Sequence, residues 1–128
     1  MIYILLNIGP ITAATLASLV LGAATIRLLR MNRPSAVQLA IAILAHFWLA
    51  AILAGALILA PVTAGVWIVT FGTAIIIWCG FVLPVCLATL PLFDLGWKNT
   101  ALAAGYWLIA MVVQAAILRI IGLTAPNL

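Results

Sequence analysis

Four stretches of this chain, about Ile4–Leu28, Ala36–Leu59, Val66–Thr89 and Thr100–Ile121, are almost wholly apolar, with charge only near their ends. A helix needs about 20 such residues to cross the hydrocarbon core of a bilayer. In lipid a spanning segment must satisfy its own backbone hydrogen bonds, which makes each stretch a helix. The turns between them are short, so successive spans run antiparallel. The expected fold is all-α: an integral membrane four-helix bundle, built as two antiparallel transmembrane hairpins in a single transmembrane domain over 1–128. Composition excludes the alternative. Charged residues are 5 % of the chain and mean hydropathy is +1.48, whereas a soluble domain carries roughly 25 % charged residues. A surface that faces water cannot be made from this chain.

The few charges set the expected orientation. Arg27, Arg30 and Arg33 surround the first turn and Lys98 lies in the third, while the middle turn has none and Arg119 stands alone at the end of the fourth run. By the positive-inside rule the first and third turns face the cytoplasm and both termini face the periplasm. This is the arrangement expected of a multi-pass membrane protein whose charged turns stay on the cytoplasmic side. The start, Met1 to Leu6, has no positive lead-in of the kind a secretory signal carries, so the first run is expected to be a retained span. The four cations of the turns are suited to lipid headgroups. They are too few and too clustered to follow a nucleic-acid backbone.

Inside the spans the informative residues are small, polar or aromatic. Ala14, Ser18 and Gly22 recur every fourth residue in span 1, and Ala42, Ala50 and Ala54, with Gly55 beside them, edge span 2. Small residues at this spacing let helices approach closely. Asn7 and Pro10 fall in the first turns of span 1, where proline costs a helix least. Asn7, Gln38 and Gln114 are expected to hydrogen-bond between helices, and Asn99 or Thr100 to cap span 4. Pro84 should kink span 3, and Pro91 marks its exit. Trp67 and Trp97 suit the interfacial belt, whereas Trp48 and Trp78 fall near mid-membrane and need an acceptor or a partner's surface. Cys79 and Cys86, two helical turns apart on one face, are about 10 Å from each other by helical rise and cannot form a disulfide. No second histidine or neighbouring carboxylate accompanies them to suggest a metal site.

The segment Trp78-Cys-Gly-Phe-Val-Leu-Pro-Val85, followed by Leu92-Phe-Asp94, Ala104-Gly-Tyr-Trp-Leu108 and Ala116-Ile-Leu118, resembles a family of small bacterial membrane proteins catalogued as domain of unknown function 1761. The likeness covers roughly the last third of the chain. That family tends to carry Glu where Asp94 stands here. The resemblance implies a four-span bacterial membrane protein and brings no catalytic residue with it.

Chemistry has few places to reside. An ionisable group inside a membrane is a functional hypothesis by default, and His46 is the only one near mid-depth. Its surroundings, Ala42-Ile-Leu-Ala-His46-Phe-Trp48, resemble the stretch around the pigment-ligating histidine of bacterial light-harvesting polypeptides. The resemblance implies an axial ligand to a tetrapyrrole such as bacteriochlorophyll or haem, with Ala42 and Ala50 leaving room for the macrocycle. The plainer reading is a histidine hydrogen-bonded to a neighbouring helix, and the third is part of a proton relay. A relay normally needs several titratable groups along a path, and the chain has one acid, Asp94, in a turn. A catalytic carboxylate would need a partner acid, base or metal. No nucleophile–base set or phosphate loop can be assembled, so an enzyme is not expected. Two function classes remain. One is an accessory or assembly subunit packed against other transmembrane subunits of a larger complex, photosynthetic or respiratory. The other is a small transporter or channel protomer acting as an oligomer.

Overall fold

The computed structural model describes residues 1–61 and 63–127. They form α1 (Ile2–Leu6), α2 (Ile8–Leu28), α3 (Ala36–Leu59), α4 (Val66–Ile77), α5 (Leu83–Thr89) and α6 (Gly96–Ile121), with a π-helical turn, Trp78–Val82, between α4 and α5. α4, the π-turn and α5 together make the third of four helices long and apolar enough to cross a membrane. The fold is an all-α four-helix membrane bundle, without strands among the described residues. The middle two spans begin and end where hydropathy places them. The turn after α3 includes Val62, which lies outside the described residues.

Prolines explain two departures. Span 1 is broken rather than continuous from Ile4. Pro10 has no N–H for the carbonyl of Leu6 and its ring crowds that carbonyl, so α1 stops at Leu6 and α2 starts after Asn7 (φ −118°, ψ 22°). Pro84 has the same effect on the turn before it. Instead of a simple kink, the chain widens into the π-turn, in which Leu83 N–H reaches the carbonyl of Trp78, five residues back. The extra residue advances the helical phase. Cys79 therefore points outward and Cys86 inward, both as free thiols, and the single face expected for them does not exist.

Two helix ends at the arginine-bearing side close in the same way. After α2, Met31 N–H bonds the carbonyl of Ile26 and Arg30 N–H that of Arg27; before α6, Leu95 N–H bonds the carbonyl of Leu90 and Asp94 N–H that of Pro91. These are Schellman closures, which place one residue in the left-handed region. Here it is Arg30 (φ 51°) and Asp94 (φ 57°) rather than glycine. For Arg30 the conformation costs about 1–2 kcal/mol. α6 then begins at Gly96, four residues before the expected Thr100. Asn99 and Thr100 are not caps: Asn99 Nδ2 donates to the carbonyl of Leu95 and Thr100 Oγ1 to that of Gly96, both within the first turns. Gln38 is not an interhelical link either. It completes a capping box with Ser35, accepting from Ser35 N–H while Ser35 Oγ accepts from Gln38 N–H, which satisfies two donors at the start of α3.

Burial is uneven along the bundle. The core is Ile11 and Ala14 of α2, Ala50, Ala51, Leu53, Ala54 and Leu57 of α3, Ala74 of α4, and Ala110, Met111, Ala115 and Leu118 of α6. These belong to the half of the bundle that carries the chain ends; in the other half, among the described residues, the buried apolar side chains are Cys86 of α5 and Ala104 of α6. In α3 no residue before His46 is buried, and six from His46 onward are. The alanines let the backbones close on one another in that half. Toward the arginines α2, α3 and α6 leave a groove between them.

Candidate functional site

The groove is bounded by the second half of α2, the following loop, the first half of α3 and the first half of α6, and encloses about 1260 Å³. Its walls are apolar, with Leu19, Leu39 and Leu102 among them, and Arg27, Arg30 and Arg33 stand at its mouth. The lone acid, Asp94, does not line it, nor does Lys98. At the deep end are Gly22, Ala42, His46, Tyr106 and Trp107.

His46 and Tyr106 close the floor. His46 Nδ1 is 2.7 Å from the carbonyl of Ala42, one turn back, and Nε2 is 2.7 Å from the Tyr106 hydroxyl. A carbonyl only accepts, so Nδ1–H donates to Ala42, and in that tautomer Nε2 accepts a hydrogen bond from the Tyr106 hydroxyl. Trp107 covers the ring, centroids 4.8 Å apart and 34° between planes. The Tyr106 hydroxyl also lies where a side chain on residue 22 would go: a Cβ on Gly22 would be 2.9 Å from it. One phenol thus joins α2, α3 and α6.

This geometry bears on His46 as a tetrapyrrole ligand. Nδ1–H on a backbone carbonyl is the orientation an axial histidine uses. The lone pair such a ligand would offer is occupied by the Tyr106 hydroxyl, and Trp107 lies over the ring. The residues present do not fit the group as they stand, since Tyr106 and Trp107 would both have to move. Among the described residues no cluster of three or more His, Cys, Asp or Glu could hold a metal ion.

Other polar groups tie the packed half together. Gln114 Nε2 donates to Ser18 Oγ at 2.9 Å and to the carbonyl of His46 at 3.0 Å, joining the same three helices one level below the floor. Its Oε1 is buried without a hydrogen-bond partner. Asn7 reaches the other end of the chain: its Nδ2 donates to the carbonyls of Tyr3 and Thr124, both at 2.8 Å, and its Oδ1 accepts from Thr124 N–H at 2.7 Å. Arg119 Nε donates to Thr70 Oγ1 at 2.8 Å, linking α6 to α4.

The small-residue edges divide by depth. Ala14, Ser18, Ala50 and Ala54 are buried between helices, whereas Gly22 and Ala42 line the groove. Trp78 donates its indole N–H to the carbonyl of Ala104 on α6 at 2.8 Å. Trp48 is half exposed and makes part of the outer surface. Tyr106 and Trp107, which the sequence singles out only within the family resemblance, and Thr70 and Thr124, which it does not single out, carry much of the site and its supports. A tyrosine in mid-span, whose hydroxyl needs a partner in lipid, was the available signal for the first. The chain matches no family model, no curated protein and no solved structure.

Proposed function

We propose that the protein is a non-catalytic accessory subunit of a larger membrane assembly, and that its third span is the side on which a transmembrane helix of another subunit packs. One observation carries this reading. Only 11 % of the most apolar 18-residue stretch of the third span is buried within the chain, against 33 % for α3 and α6 and 22 % for α2. Its outer face includes Ile76, Phe81 and Val85, with the small Cys79 and Gly80 between them and Ala88 beyond. Nothing lies within 4 Å of where a Cβ on Gly80 would stand, so a neighbouring backbone has room to approach. The π-turn adds to the case, since such turns concentrate at functional positions. The buried polar groups favour the same reading: among the described residues, apart from one amide oxygen, their side chains are used in hydrogen bonds inside the bundle.

The resemblance to the family of small bacterial membrane proteins, which begins in this span and continues through α6, agrees with a bacterial inner membrane. The arginine-bearing turns would then face the cytoplasm and the termini the periplasm. Photo-cross-linking in native membranes tests the proposal, with the reactive residue at Ile76 or Phe81 and, for comparison, at Val20 of α2. A discrete adduct to a different membrane protein from the third span, absent at Val20, is expected. Adducts to lipid alone would overturn the reading. So would adducts only to a second copy of the chain together with solute flux in liposomes, which would make it a transporter or channel protomer.

A further inference from the structure

The groove has the length, lining and charge of a site for one particular kind of molecule. From Ala36 to His46 is ten residues of α3, about 15 Å at helical rise. That is half of the ~30 Å hydrocarbon core. The groove therefore runs from the membrane surface to about the midplane and stops there, closed by His46, Tyr106 and Trp107. Its volume, about 1260 Å³, exceeds the roughly 300–1,000 Å³ of ordinary small-molecule pockets. An aliphatic chain anchored at one membrane surface fits such a space. A soluble solute would find almost no polar partner below the mouth.

The mouth supplies the other half of the recognition. Arg27, Arg30 and Arg33 all line it there and no acidic side chain does. Guanidinium groups bind phosphate oxygens in bidentate fashion, and no carboxylate of the lining competes for these three. Arg30 sits in the left-handed backbone region (φ 51°), where glycine would be easier to place.

We propose that the groove seats an acyl chain of an anionic phospholipid, with the headgroup phosphate held by Arg27, Arg30 and Arg33. The inference stands apart from the accessory-subunit reading, because it concerns a different face and the isolated chain should show it.

The test is native mass spectrometry of the full chain in detergent, titrated with phosphatidylglycerol or phosphatidylcholine of the same acyl chains. Wild-type protein should retain one phosphatidylglycerol at least tenfold more readily than phosphatidylcholine. Arg30→Gly relaxes the backbone while removing one guanidinium, and should cut that preference several-fold without loss of folding. The triple Arg27→Gln, Arg30→Gln, Arg33→Gln variant should abolish it. Ala42→Phe fills the groove and should lower retention of both lipids, with helix content and melting unchanged. Glycerol phosphate, the headgroup without chains, should compete only at concentrations at least a hundredfold higher. Equal retention of the two lipids would overturn the proposal, as would an unchanged preference in Arg30→Gly. Displacement by glycerol phosphate at concentrations matching the lipid's would instead make this a site for a free anion.

Discussion

The two ends of this bundle are made from the same kinds of residue and behave differently. In the half that carries the chain ends, Ala14, Ala50, Ala54, Ala74, Ala110 and Ala115 are buried between helices, and Gly55 takes the ring of Tyr3, whose atoms would lie 3.1–3.2 Å from a Cβ there. In the arginine-bearing half, Ala42 lines open space, and Gly22 is met at the groove floor by the Tyr106 hydroxyl. Lipid tails are as apolar as the side chains, so no hydrophobic force closes such a gap. Close packing and hydrogen bonds hold one half, and where they are missing the helices separate. An alanine in a membrane helix is thus an opportunity for contact, and the neighbouring helix decides whether it is taken.

Mutations can break this contrast. The largest effect is expected from Ala14→Leu, which forces three carbons into a site with no exposure and should destabilise by about 3 kcal/mol. Ala42→Leu, in the groove, should change stability by less than about 0.5 kcal/mol. Both are measured by reversible unfolding in mixed micelles, and equal costs would mean that the halves do not differ. Next, Asn7→Ala removes three hydrogen bonds, at about 0.6 kcal/mol each in membrane proteins, for a loss near 2 kcal/mol. Faster amide exchange at Thr124 would report it specifically. Gly22→Ala presses on the Tyr106 hydroxyl and should cost about 1 kcal/mol, through the bond to His46. The same change in a Tyr106→Phe background should cost clearly less, and an identical cost would remove the phenol as the joint between the halves. The smallest expected effect has the opposite sign: Arg30→Gly should stabilise by up to about 1 kcal/mol by relieving the left-handed backbone.

Hydropathy alone carries the number of spans, their helical nature and the limits of α3 and the third span, because lipid imposes a length and forbids unpaired backbone. The limits of the first and last spans depend on atoms four or five residues away. Pro10 acts on Leu6, and the closure at Asp94 moves the start of α6. Those signals are present in the chain, as is the Ser35-Ala-Val-Gln38 box that fixes the role of Gln38. The pairing of His46 with Tyr106 is different in kind. It spans 60 residues, and the spacing within either helix does not select it. The groove is less legible still, since Ala42 and Ala50 look alike in one dimension and only the divergence of three helices separates them.

The bond from Asn7 to Thr124 joins residues 117 apart. During synthesis the Asn7 side chain enters the bilayer long before its partner exists, so one of the bundle's most polar buried groups waits for the tail to be made. A ribosome that stalls before Thr124 releases a chain whose first helices can insert but whose clasp cannot close. Such a product would leave the Asn7 carboxamide with only its local bond to the carbonyl of Tyr3, and its first helices would lack the tie to the segment that follows the fourth span.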